Sequence, residues 1–285
     1  MKLYREFSTQ EEIDAHYNVL GNVADPDGII AAWAERSEAA VERLECRLSV
    51  RYGPTLAEYC DVFPAGPAAP VHVFIHGGYW RRFSARDHDF VVPQLVAAGL
   101  TVVVVNYALC PTVSLDEIVR QVRAAIAWTY GHAGEVGADP SRLTISGHSA
   151  GGHLTAMALL TDWAGDYGLP ADLIKGAVAI SGLYDLGFLP YSYIQPKVQA
   201  TWDQVARLSP IRHVPPAAPP LLVAVGGDET DEFRRQSRDF HTAWRSAGLP
   251  GDFLEPTGKH HLTVLEELER SDSGLTRALV RIARA

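Results

Sequence analysis

Gly147-His148-Ser149-Ala150-Gly151 fits G-x-S-x-G, a pattern in which a serine on a sharp strand-to-helix turn can act as a nucleophile. The surrounding stretch, TISGHSAGG at 144–152, has the required context: an apolar strand end before the serine, small residues opening a helix after it. So tight a turn admits only small neighbours, here Gly147, Gly151 and Gly152, and the helix N-terminus offers free N–H groups and a positive dipole end. A serine hydroxyl is a poor nucleophile without a base. In the matching chain order an acid follows a later strand and a histidine comes near the end. His260 and His261 follow the short apolar GDFLEP; His261, abutting a helix expected from Leu262, is the better placed. The loop GGDETDEF offers Asp228 and Glu229 side by side after LLVAV, and sequence physics does not separate two adjacent carboxylates. In His76-Gly77-Gly78-Tyr79-Trp80, two glycines let backbone N–H groups approach a developing negative oxygen, joined by the N–H of Ala150. Nucleophile, base, acid and oxyanion donors in this order point to acyl transfer.

Other histidines lack matching partners: His148 is the variable residue of the turn, and His153 belongs to the helix behind it. The cluster Asp87-His88-Asp89 reads as helix-start acids rather than a metal site, no H-E-x-x-H occurs, and neither metal nor other cofactor is expected.

The elements that must position these groups are legible from residue 44 onward. LECRLSVRYG and AEYCDVF alternate apolar and polar residues, as half-exposed antiparallel strands do. VHVFI (71–75), TVVVVNY (101–107), RLTIS (142–146), KGAVAIS (175–181) and LLVAV (221–225) are apolar almost throughout, which predicts strands covered on both faces in a mostly parallel sheet. Proline/alanine spacers, PAGPAAP and VPPAAPP, lead into two of them. Helical segments alternate with the strands. DHDFVVPQLVAAG carries Pro93, so its helix starts late or bends. SLDEIVRQVRAAIAWTY has Ser114 as N-cap and places Leu115, Ile118, Val122, Ile126 and Trp128 near one face. This alternation implies a doubly wound α/β sheet with helices on both faces, as a single domain over 1–285. Residues 1–43 form an amphipathic helical segment with Ile29, Ile30 and Trp33 available to pack on the body. The insertion 187–213, rich in aromatics (Tyr191, Tyr193, Trp202), would lie over the carboxyl edge of the sheet as a lid or pocket wall.

A formal net charge of −9 gives no electrostatic reason to expect nucleic acid or an anionic membrane as partner. The start lacks the build of a secretory signal, and no stretch reaches the roughly 20 apolar residues of a membrane span. Cys46, Cys60 and Cys110, odd in number and without CxxC spacing, suit reduced thiols in a cytoplasmic protein, with a Cys46–Cys60 bridge the remaining option. The expected partner is a small-molecule ester or amide; a homodimer is compatible with the chain.

HGGYW, GHSAG, SGLYDL and GGDETDEFRRQS together resemble the kynurenine formamidase (arylformamidase) branch of the α/β-hydrolases, over most of the chain from RYGPTLAEYCDVF onward. That resemblance implies an α/β-hydrolase fold and a Ser149, His261, Glu229 triad, because the family's acid lies four residues before the phenylalanine that is Phe233 here. The eukaryotic enzymes carry aspartate at that position, so Asp228 stays as the alternate. It further implies backbone oxyanion donors at Gly78, Tyr79 and Ala150, and cleavage of an aryl formamide such as N-formylkynurenine, or of a small ester. Gly77, Tyr79, Trp80 and Tyr184 are the candidate pocket wall, against which an aromatic leaving group could stack. The sequence specifies no basic anchor for an amino-acid carboxylate, other than an arginine of the insertion, which favours a general aryl or short-acyl ester. A non-hydrolytic lyase or ligand receptor of the same fold is the rival reading.

Overall fold

The computed structural model describes residues 2–21 and 23–285. Eight strands form one sheet: β1 (Arg47–Arg51), β2 (Tyr59–Phe63), β3 (Ala69–Ile75), β4 (Thr101–Val105), β5 (Ala138–His148), β6 (Gly176–Ile180), β7 (Leu221–Ala224) and β8 (Gly251–Leu254). Their spatial order is β1-β2-β4-β3-β5-β6-β7-β8. The pairs β1–β2 and β2–β4 are antiparallel; every other neighbouring pair is parallel.

The helices are α1 (Gln10–Tyr17), α2 (Pro26–Arg43), α3 (Val92–Ala97), α4 (Leu115–His132), α5 (Ala150–Leu159), α6 (Trp163–Tyr167), α7 (Gln195–Val198), α8 (Trp202–Arg207), α9 (Asp231–Ser246) and α10 (Gly274–Arg284). Pro93 sits in the first turn of α3, so that helix starts late, after two short 3-10 turns. Ser114 caps α4 by accepting from the N–H of Glu117. Trp128 departs from the expected buried face of α4: it is half-buried and stacks on His132 one turn later. No α-helix begins at Leu262; a turn and a 3-10 segment, Leu265–Glu269, intervene before α10. All three cysteines are free thiols.

The near-continuous apolar strands follow from two cores, one on each sheet face. Val71, Val73 and Ile75 join the cluster that includes Leu154 of α5 and Phe240 of α9, while Phe74, Val102 and Val104 join that of Trp33, Leu95 and Leu279. His72 is the polar exception inside β3. It is buried between β5 hydroxyls, its Nδ1 2.9 Å from Thr144 Oγ1 and its Nε2 2.7 Å from Ser146 Oγ. Among the described residues, no helix is long and apolar enough to cross a membrane.

The chain runs from β3 to β4 on one side, then crosses to β5 on the other. That reversal opens a crevice at the carboxyl ends of β3 and β5, where ligands of open α/β sheets bind. Ile75 pairs with Gly147 across these strands, so the HGG stretch and the serine turn leave the sheet at the same level.

Candidate active site

Ser149 follows β5 directly and N-caps α5, with φ 57° and ψ −117°, a backbone conformation that costs a non-glycine residue roughly 1–3 kcal/mol. Its N–H donates to Ile180 O at 2.8 Å, which ties the strained residue to β6. The glycines around it are demanded by close approach. A Cβ at Gly147 would overlap the Gly151 carbonyl, one at Gly152 would lie 2.9 Å from Ile180 O, and one at Gly151 would overlap Ile75 O. Gly151→Ala is therefore expected to destabilise the protein by about 2–4 kcal/mol in urea unfolding, since the obstructing atoms are backbone. Gly134→Ala, where a Cβ meets open space, is the control and should shift the midpoint little.

His261 follows β8 and Glu229 follows β7, and the two meet deep in the structure. The His261 Nδ1–H donates to Glu229 Oε2 at 2.6 Å. Glu229 Oε1 accepts from the Ser181 hydroxyl and, at 2.8 Å, from the Gly226 N–H, so both oxygens are held. The adjacent carboxylate is differently placed: Asp228 is exposed, and its N–H donates to Lys259 O. His260 turns away as well, its Nδ1 accepting from the Leu262 N–H at 3.3 Å. Phe233 packs edge-on against His261, ring centroids 4.7 Å apart. His148 Nε2–H donates to His261 O at 2.8 Å, and burial, followed by the His261 charge, drives its pKa far below the ordinary range. A neutral His148 thus braces the backbone of His261.

The HGGYW stretch folds into a tight turn. Gly78 has φ 105°, Tyr79 51°, Trp80 57° and Phe83 70°. The N–H groups of Arg81 and Arg82 both donate to Gly78 O, at 3.1 and 3.0 Å. Tyr79 OH donates to Tyr17 O at 2.6 Å, anchoring the turn to α1. Among the described residues, the N–H groups of Gly78, Tyr79 and Ala150 donate to no protein acceptor. All three N–H groups belong to the turns that carry Gly77 and Ser149, both of which line the cavity described next.

Ser149 and His261 open into one cavity of about 50 Å³ with Gly77, Gly78, Tyr79 and His148 on its walls. Two of the expected wall residues lie elsewhere. Trp80 is fully buried behind the turn, its indole N–H donating to His153 Nδ1 at 3.3 Å. Tyr184 is fully buried against Phe240, ring centroids 4.2 Å apart. The turn thus brings Tyr79 to the cavity and leaves Trp80 behind it.

Several wall residues carried no usable signal in the sequence. Val19, Leu20 and Trp33 of the N-terminal segment close one side, and Phe83 and His88 another. From the insertion 187–213, Tyr193 reaches the cavity, whereas Trp202 is 58% exposed and packs on Tyr191. Arg81 and Arg82 also line the cavity, so a basic group does stand there, on the HGGYW turn rather than on the insertion. Asp87 behaves as expected of a helix-start acid, accepting from Ser84 N–H at 2.7 Å. Asp89 does not: it is buried with both oxygens unpartnered, and burial, reinforced by the Asp61 charge, pushes its pKa up to about 8. Among the described residues, no three His, Cys, Asp or Glu side chains are grouped to hold a metal ion.

A family model described as alpha/beta hydrolase fold matches residues 72–265. The kynurenine formamidase of Danio rerio is 32% identical over 268 residues, covering 90% of this chain and 89% of that protein. Esterase LipC of Mycobacterium tuberculosis is 30% identical, covering 89% of this chain and 70% of its own length. A crystallised chain from Silicibacter sp. tm1040, described as a candidate thioesterase, superposes with a TM-score of 0.82 at 28% identity and covers 96% of this chain and 99% of that one. This protein belongs to the α/β-hydrolase family, in its kynurenine formamidase-like branch.

Proposed function

We propose that the protein is a serine hydrolase that cleaves a small aryl formamide or carboxylic ester, N-formylkynurenine among the candidates, through an acyl-enzyme. The observation that carries this reading is the 2.6 Å hydrogen bond from His261, which shares its cavity with Ser149, to the buried Glu229 behind it. Because Glu229 accepts from Nδ1–H, the neutral imidazole keeps its lone pair on Nε2, the atom that would take the Ser149 proton. Ser149 Oγ attacks the carbonyl carbon, and the oxygen takes on negative charge facing the N–H groups of Gly78, Tyr79 and Ala150. Collapse expels the amine or alcohol, protonated by His261; water then gives a proton to His261 and attacks the acyl carbon, and His261 returns that proton to Ser149 Oγ as the acyl–oxygen bond breaks and the acid leaves. The segment 187–213 acts in this scheme as a partial cover, contributing Tyr193.

Labelling with a fluorophosphonate tests the mechanism. Intact-mass analysis is expected to show one adduct on the wild type and none on Ser149→Ala; equal labelling of the two, or none at all, would remove Ser149 as nucleophile and favour a receptor of the same fold. Substrate class is read from kcat/KM for N-formylkynurenine, p-nitrophenyl acetate and p-nitrophenyl hexanoate. The ratio of acetate to hexanoate rates reads the acyl length that the site accepts.

A further inference from the structure

We infer that Ser181, the residue after β6, is a positioning residue: its hydroxyl fixes the Glu229 carboxylate in the orientation that serves His261. The catalytic consequence rests on the hydrolase reading above. Ser181 is fully buried, and its hydroxyl donates to Glu229 Oε1; among the described residues that hydroxyl has no other partner. Its backbone is strained, with φ 51°, in the left-handed region that costs a non-glycine residue roughly 1–3 kcal/mol. A glycine would adopt that conformation at little cost. A serine there keeps the strain and gains the bond to Glu229.

Glu229 has two other hydrogen-bond donors. The Gly226 N–H, 2.8 Å from Oε1, belongs to the same loop after β7 and shifts whenever that loop shifts. The His261 Nδ1–H, 2.6 Å from Oε2, is the group that Glu229 has to orient. Ser181 holds the carboxylate from a different strand. Its N–H donates to Ala224 O at 2.7 Å, and the preceding residue, Ile180, accepts the Ser149 N–H at 2.8 Å. The end of β6 therefore grips the nucleophile through one residue and the acid through the next, which ties both halves of the site to one strand. A glutamate also reaches its histidine through one more rotatable bond than an aspartate, so one more torsion has to be fixed. Without the Ser181 hydroxyl the carboxylate turns about that bond, and the His261 Nδ1–H loses its fixed acceptor.

Ser181→Ala and Ser181→Gly in the full chain test this, the glycine variant also relieving the backbone strain. With p-nitrophenyl acetate, kcat is expected to fall about 10- to 100-fold in both, with KM within about threefold of the wild type. Ser237→Ala removes another buried hydroxyl, one without a partner, and should leave kcat unchanged. Proton NMR supplies a readout that needs no turnover. The downfield His261 Nδ1–H resonance, identified by its absence from His261→Gln, should appear in the wild type and in Ser237→Ala and be broadened or lost in both Ser181 variants. Wild-type kcat in the glycine variant would assign any loss in the alanine variant to strain and overturn the inference. So would a resonance unchanged in both variants, or one missing from the wild type. A wild type that takes no fluorophosphonate, yet whose resonance depends on Ser181, would keep the hold on Glu229 and lose the hydrolase reading.

Discussion

Glu229→Ala is expected to lower kcat by about 10⁴, while Asp228→Ala stays within a few-fold of the wild type. The difference comes from geometry, since the two residues are adjacent and both acidic. Glu229 receives the His261 Nδ1–H and thereby selects the tautomer with a free Nε2 lone pair, whereas Asp228 is exposed and reaches no part of the site with its side chain. Removing Glu229 has a second consequence: it strands the Ser181 hydroxyl and the Gly226 N–H, both of which it satisfies in the interior. Unpartnered buried donors cost roughly 1–3 kcal/mol each, so the variant should also unfold earlier in urea. Rates are therefore measured on folded protein, with circular dichroism on the same sample. Glu229→Gln separates the contributions, because it keeps the size and loses the charge; a variant with wild-type kcat would overturn the assigned role, as would a larger loss at Asp228.

Acid should unfold the protein cooperatively between about pH 6 and pH 4. Five histidines are buried and neutral in the fold: His72 and His76 have pKa values pushed down to about 3, His88 and His153 to about 4, and His148 far below the ordinary range, desolvation leading in every case. The unfolded chain protonates each near pH 6.5, so below that pH it binds more protons than the native state, and stability falls as pH falls. Asp89 works the other way. Its native pKa of about 8 lies above the unfolded value, so between about pH 4 and 8 the native state holds one proton more there, and stability falls as pH rises through that range. Four uncompensated histidines correspond to a limiting slope of about 5 kcal/mol per pH unit, comparable to the whole stability of many domains. Urea midpoints measured from pH 7 to pH 4.5 should collapse; a midpoint unchanged between pH 7 and 5 would show that these imidazoles take up protons without unfolding.

Much of the sheet could be read before the structure because strand burial leaves a local mark. TVVVV is apolar at every position since β4 has a core on each face, and the serine turn is legible because Ile75, Gly182 and Gly151 approach too closely for side chains. The pocket walls were less accessible to that kind of reading. Tyr79 and Trp80 are neighbours, yet one faces the cavity and the other its back, and no periodicity describes a run of positive-φ residues. Arg81 and Arg82 follow HGGYW directly, but only the folded turn brings them to the cavity. The segment EFRRQS shows the same limit from the other side. Its Glu232 accepts from Tyr17 OH at 2.7 Å, and its Gln236 accepts the N–H groups of Tyr184 and Asp185, so these family-marking residues brace the site from outside the cavity.

The anchoring of α1 carries a consequence for how activity arises during synthesis. Tyr17 stacks on Phe188 with centroids 3.6 Å apart, bonds Glu232 and receives the Tyr79 hydroxyl, while Val19 and Leu20 wall the cavity. A segment that leaves the ribosome ahead of the sheet therefore waits for Glu232, 215 residues behind Tyr17. Ribosome-bound chains that stop before α9 would hold Ser149 on its turn but lack the docked wall, β8 and His261 alike, so hydrolysis would begin only after the last strand of the sheet has been made.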